Sequence, residues 1–254
     1  MTEPRYPNES QDYRDARDAL LKGEQELIDK TKAVAAKRRQ LPLGGQLKED
    51  YVFQRANDGQ VGERVNFSAL FGDKNTLLLY SFMFGPNWDR PCLSCTSLMD
   101  GFDRSAYQVT RDAAFAGIAK AQPERINAWA KERGWSQIAL LSGHGSPFQA
   151  DYKCQDPKND DMQWPVMLCF TKRDGKIFLF WATELPGNHV DTVWPYWNLW
   201  TSQRKGGRIA TRRRRSHERV FGEELVGEGI GRSRSSWRDK AGSKPTRRRK
   251  RSMS

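Results

Sequence analysis

The alternation of apolar and polar residues divides the chain into a series of elements. Between residues 15 and 40, Leu20, Leu21, Leu27, Ile28, Val34 and Ala35 recur at helical spacing and predict a long helix. The string LPLGG (41–45) ends it. KEDYVFQR and VGERVNFSALF flank a turn at Asn57-Asp58-Gly59 and predict a short hairpin. Residues 74–84, KNTLLLYSFMF, are apolar almost throughout, which suits a strand buried on both faces at the centre of an α/β sheet. CLSCTSLMDGFDRSAYQV then predicts a helix opening at Cys92, and AAFAGIA (113–119) a second buried strand. A helix over 123–135 is bracketed by Pro123 in its first turn and Gly134 at its C-terminal end. QIALL (137–141) predicts a third strand, and residues 166–183 predict two more, joined at Arg173-Asp174-Gly175. The order β-α-β-α-β-β with an antiparallel pair at its end defines an α/β fold with a mixed sheet.

At 254 residues and 37% hydrophobic, the chain can bury a sizeable core. It holds no run near the roughly 18 apolar residues of a membrane span. Its first residues, MTEPRYPNESQDYRD, carry no apolar region of the secretory kind, and residues 1–14 read as disordered. The expected setting is therefore the reducing cytoplasm. There, four cysteines point to redox or metal chemistry rather than to structural disulfides. The net charge of +12 is not spread evenly. Residues 201–254 hold 18 Lys/Arg against 5 Asp/Glu, so the excess lies in the tail and residues 1–200 are nearly neutral. The body gives no electrostatic case for nucleic acid.

The chemistry concentrates at Cys92-Leu93-Ser94-Cys95. A CxxC at a strand-to-helix junction reads as a thioredoxin-like redox motif. Cys92 at a helix N-terminus meets unpaired amide N–H groups and the positive end of the macrodipole, which favour a thiolate. Cys95, one turn on, is spaced to attack a mixed disulfide at Cys92 and release the product. Pro91 restricts the chain just before the nucleophile, and Trp88 can cover the thiols. Trp164-Pro165 directly precedes the strand VMLCF. Thioredoxin folds place a cis-proline facing the cysteines at that spot. This predicts a cis Trp164–Pro165 bond packed near Cys92, with Trp88, Pro91, Trp164 and Pro165 lining a substrate groove.

The string FMFGPNWDRPCLSCTSLMDGFD (82–103) resembles the signature of a thioredoxin-like family of predicted dithiol–disulfide oxidoreductases known by a domain-of-unknown-function number, DUF899. The resemblance runs from RDALLKGEQELIDK to TVWPYWNL, about residues 15–199. It implies a thioredoxin fold with an N-terminal helical extension and Cys92 and Cys95 as the redox pair. It names no substrate, and Leu93 stands where relatives usually have proline. The lead-in FSALFGDKNTLLLYSFMF also resembles peroxiredoxin-type domains, which usually place Thr three residues before the peroxidatic cysteine. Asp89 stands there in this chain and argues for the disulfide reaction.

Relatives continue past WNL with a pattern like L-D-x-T-P-E-G-R, whereas this chain reads WTSQRKGGR. One nucleotide lost near the Leu199 codon converts the first into the second, so residues 200–254 read as a basic, disordered tail produced by a frameshift. The alternative is a selected basic arm, with Arg212–Arg215 and Arg247–Arg251 meeting nucleic acid.

Cys154, Cys169 and His144 lack the spacing of a zinc site beside the CxxC, so no metal and no cofactor are expected. Cys169 reads as a core residue, and Asp100 and Asp103 as helix-face or capping groups. Two readings follow. One is a thiol–disulfide oxidoreductase acting on a protein or small-molecule disulfide. The other is a thioredoxin-fold binding module with idle cysteines. No membrane partner is expected, and nucleic acid only through the tail.

Overall fold

The computed structural model describes residues 5–57, 59–184 and Ser202. Apart from Ser202, the basic tail on which expectations were placed above lies outside the described residues.

A seven-stranded mixed sheet forms the centre, in the order β2-β1-β5-β4-β3-β8-β9. Strands β3 (Thr76–Ser81), β4 (Ala114–Ala119) and β5 (Ala139–Ser142) run parallel. They are linked by helices α2 (Leu93–Val109) and α3 (Pro123–Arg133). The sheet extends on one side through β1 (Val52–Arg55) and β2 (Arg64–Asn66), a hairpin that joins antiparallel to β5. On the other side β8 (Val166–Arg173) lies antiparallel to β3, and β9 (Lys176–Ala182) antiparallel to β8. This is the expected mixed α/β architecture, and the β3-α2-β4 and β8-β9 units form a thioredoxin-like core. The turn between β8 and β9 is the two-residue Asp174-Gly175, with φ of 52° and 73°. Both values are left-handed, as the tight hairpin turn that follows strand twist requires.

Two apolar clusters cover the two faces of the sheet. One gathers Tyr80, Phe82, Cys95, Leu98, Met99, Ile126 and Trp129, and so seats α2 and α3. The other gathers Phe53, Phe67, Leu77, Leu79, Phe148 and Phe170. It is sealed by a 3₁₀ turn at Phe67–Phe71 and by the short helix α4 (Phe148–Asp151), neither of which the periodicity predicted. Successive residues of β3 alternate between the clusters, Leu79 to one and Tyr80 to the other, which is why the run reads as continuously apolar. A second, two-stranded ribbon, β6 (Gln155–Asp156) with β7 (Asn159–Gln163), also went unpredicted because its polar sequence carries no alternation.

Helix α1 spans Gln11–Arg39. It begins inside the stretch read as disordered, because the Ser10 hydroxyl accepts a hydrogen bond from the Tyr13 N–H at 3.1 Å and caps the first turn. Its apolar residues Leu20, Leu21, Leu27, Ile28 and Val34 are exposed. Near its C-terminus, the Arg38 guanidinium lies 4.3 Å from the centre of the Trp181 ring. Among the described residues, no helix is long and apolar enough to cross a membrane.

Two aspartates fasten α2. Asp103 is buried, and its Oδ1 accepts from the N–H groups of Ser136, Gln137 and Ile138 at 2.8, 2.7 and 3.1 Å. Asp100 accepts from the Arg133 guanidinium and, at 2.8 Å, from the Trp135 indole. Asp100 ties α2 to the last residue of α3, and Asp103 ties it to the segment that leads from α3 into β5. Replacing Asp103 by alanine strands three backbone donors, of which the Ile138 N–H is buried, and the expected loss is about 2–3 kcal/mol of unfolding free energy. Urea titration of Asp103→Ala against the wild type measures it, and an unchanged midpoint contradicts this role.

Candidate active site

Past Ser81 the chain stays buried through Phe82, Met83 and Phe84 and remains tied to β4. The Phe82 N–H donates to Ile118 O at 3.0 Å, and the Ala121 N–H to Phe84 O at 2.9 Å. The chain then turns at Gly85-Pro86-Asn87-Trp88 and comes back, so that the Cys92 N–H donates to Met83 O at 2.9 Å. The β6–β7 ribbon clamps this turn. Asp161 accepts from the Asn87 N–H at 3.0 Å and from the Asn87 amide at 3.1 Å, and its carbonyl accepts from the Trp88 indole at 3.0 Å. Arg125 of α3 donates to Pro86 O at 2.7 Å and lies 5.1 Å from the centre of the Phe84 ring. Only glycine fits at position 85. A Cβ there would stand 2.6 Å from Trp88 Nε1 and 2.8 Å from an Asp161 carboxylate oxygen.

Cys92 is the N-cap of α2, with extended backbone at φ −56° and ψ 129°. It is half-buried, Cys95 is buried, and both are free thiols. As a thiol, Cys92 completes no side-chain cap bond. The groups around its sulfur favour the thiolate. The Cys95 thiol is the strongest of them, joined by the Cys95 and Ser94 backbone N–H groups and the Ser94 hydroxyl, and together they outweigh burial and bring Cys92 down to about 6. The same contact, with burial, pushes Cys95 well above the usual thiol range. The two thiols titrate as a pair: one poised to ionise near neutrality, the other held protonated as its donor. Burial pushes Cys154 up to about 12 and Cys169 up to about 11, which leaves them poor nucleophiles.

The structure brings together Cys92, Cys95, Trp88 and Pro91. Trp88 packs on the same core cluster as both cysteines, and Pro91 is buried beside Cys92. It does not bring Trp164 there. The Trp164 ring packs on the cluster at the opposite face of the sheet, and the Trp164 backbone N–H donates to Cys154 O at 2.8 Å. The Trp164–Pro165 peptide is trans, which corrects the expected cis bond; among the described residues no cis peptide occurs. Trp164 is held to the β6 side, so the chain enters β8 directly from the ribbon in extended form. Pro165 is partly exposed just ahead of Val166, which pairs with Ser81 at the end of β3. Among the described residues no group of three His, Cys, Asp or Glu could hold a metal ion. His144 Nε2 pairs with the Gln122 amide at 2.9 Å. Sequence reading missed Asp161 and Arg125, whose roles arise from contacts far along the chain. Ser94 was legible in principle, lying within the first turn of a helix capped by a thiolate.

A thioredoxin-like sheet carrying a CxxC at the N-terminus of the helix after its central strand defines the class of the protein. The chain belongs to the family described as "Bacterial protein of unknown function (DUF899)", whose profile matches residues 2–220. No curated protein matches the chain. Among solved structures, similarity is found to peroxiredoxin Q from Xanthomonas campestris, with 12% identity, 59% of this chain and 92% of that chain covered, and a TM-score of 0.44. It is also found to peroxidoxin BcpB from Mycobacterium tuberculosis (15%, 61% and 94%, 0.44) and to Enterococcus faecalis AhpC (10%, 57% and 82%, 0.45). Likeness at this level assigns no activity to the chain.

Alkylation by iodoacetamide should modify Cys92 first, with a rate that rises through about pH 6 and levels off above it, because the thiolate is the nucleophile. Cys154 and Cys169 should react only on unfolding. Peptide mapping after timed labelling checks both; equal rates at all four thiols contradict the arrangement. Asp161→Ala should release the turn at residues 85–88, seen as faster amide hydrogen exchange at Asn87 and Trp88 with the global unfolding transition retained.

Proposed function

We propose that the protein is a thiol–disulfide oxidoreductase in which Cys92 attacks and Cys95 resolves. The observation that carries this reading is the half-buried Cys92 at the N-cap of α2, held to about 6 by the Cys95 thiol and the Ser94 and Cys95 N–H groups. The Cys92 thiolate attacks one sulfur of a disulfide substrate, forms a mixed disulfide and expels one substrate thiolate. Cys95 then gives up its proton and attacks Cys92 Sγ. The second substrate thiolate departs, and Cys92 and Cys95 are left joined. Two electrons pass from the protein dithiol to the substrate. Leu93, 68% exposed between the two cysteines, presents an apolar contact to a disulfide-bearing peptide or small molecule at the point of attack. The reaction suits a reducing cytoplasm, where the resulting disulfide is returned to the dithiol. Asp89, in place of the Thr usual before a peroxidatic cysteine, favours a disulfide over a peroxide as the substrate.

With insulin as substrate and dithiothreitol as reductant, the protein should accelerate reduction of the insulin disulfides, and Cys92→Ser should abolish the acceleration. Cys95→Ser should instead accumulate a covalent mixed disulfide visible on a non-reducing gel. Activity that survives Cys92→Ser removes Cys92 as the attacking sulfur, and a wild type that is inert while its alkylation behaves as described above supports the idle-cysteine module.

A further inference from the structure

Tyr80 lies on β3 and faces the side of the sheet that α2 covers. It is 1% exposed and shares a core cluster with Cys95, Met83, Leu98 and Met99. Its ring meets Phe102 edge-on at 5.2 Å between centres. Its hydroxyl is buried and completes no hydrogen bond of ordinary geometry. A buried polar group in this condition calls for a reason, and packing alone would be served by phenylalanine. The group this hydroxyl interacts with is the Cys95 thiol, and the Cys92 charge also reaches it. On the other side, the groups that favour an ionised Cys95 are the Met83 N–H and the Tyr80 hydroxyl.

We propose that Tyr80 is a positioning residue for the resolving step, its hydroxyl donating a hydrogen bond to Cys95 Sγ as that sulfur becomes a thiolate. The inference rests on the dithiol reading above. In the resting protein Cys95 is a protonated donor to Cys92 and gives Tyr80 no anion to bond. Once Cys92 is tied up in a mixed disulfide it no longer accepts from Cys95. The Cys95 proton passes to the departing substrate thiolate, and the sulfur left behind is buried beside two groups that favour its thiolate, Met83 N–H and Tyr80 Oη. A phenol suits this place: it donates a hydrogen bond without carrying a charge, so it favours the thiolate transiently and leaves Cys92 the more acidic thiol at rest. A hydrogen bond that exists only when charge develops on Cys95 speeds resolution without strengthening the resting state.

The test uses the full chain, Tyr80→Phe and the aromatic disulfide 5,5′-dithiobis(2-nitrobenzoic acid). The Cys92 thiolate releases one thionitrobenzoate as the mixed disulfide forms, and Cys95 releases the second as it closes the Cys92–Cys95 bond. Tyr80→Phe is expected to leave the first release within about twofold of wild type and to slow the second at least about tenfold, the loss of one hydrogen bond to a charged group. In a Cys92→Ala background, Tyr80→Phe should also move Cys95 ionisation to higher pH, read from thiolate absorbance, which a packing defect would not do selectively. Equal second-phase rates in wild type and Tyr80→Phe, or an unmoved Cys95 titration, overturn the inference while the dithiol reading stands. A wild type that releases only one equivalent overturns the dithiol reading itself, and the inference with it.

Discussion

The bond from the Cys92 N–H to Met83 O governs this molecule. It sets the N-terminus of α2 directly over the end of the central strand, so that the chain leaves the sheet and re-enters it within a short stretch. So tight a return needs a turn without a side chain at Gly85 and outside support for the peptide groups between. Asp161 and Arg125 supply that support from opposite directions, one from the β6–β7 ribbon and one from α3. Loosening any of the three would move the helix terminus, and with it the amide groups that favour the Cys92 thiolate.

Burial acts on all four cysteines in the same sense, raising the cost of the thiolate. What separates them is the direction of the donors around each sulfur. Cys154 and Cys169 have too few to offset burial and stay protonated. Cys92 receives the helix terminus, Ser94 and the thiol of its own partner, and moves the opposite way. Cys95 bears the cost of that partnership and ionises last. The division of labour between attacking and resolving sulfur therefore comes from one shared proton in an apolar setting, with Tyr80 beneath it. The same apolar setting seats α2, since Leu98, Met99 and Ala106 seal one of its faces and Asp103 ties it to the segment between α3 and β5.

Local signals in the sequence determined much of this protein. The apolar run ending at Phe84 defined the central strand, because a strand buried on both faces cannot alternate. Pro123 and Gly134 bracketed α3, Asp174-Gly175 marked the last hairpin, and CxxC after a strand located the thiols at a helix start. Each of these is a short-range rule, satisfied by residues a few positions apart. Tertiary structure decided the rest. Which face of the sheet Trp164 joins, and hence the trans peptide before Pro165, depends on a ribbon whose polar sequence carries no periodicity. Asp161 reaching Asn87, Arg125 reaching Pro86 and Tyr80 lying under Cys95 are contacts between segments that only the packed sheet brings together. A sequence pattern states which residues avoid water; it does not state which of the buried polar ones will meet, and the chemistry of this site is made by those meetings.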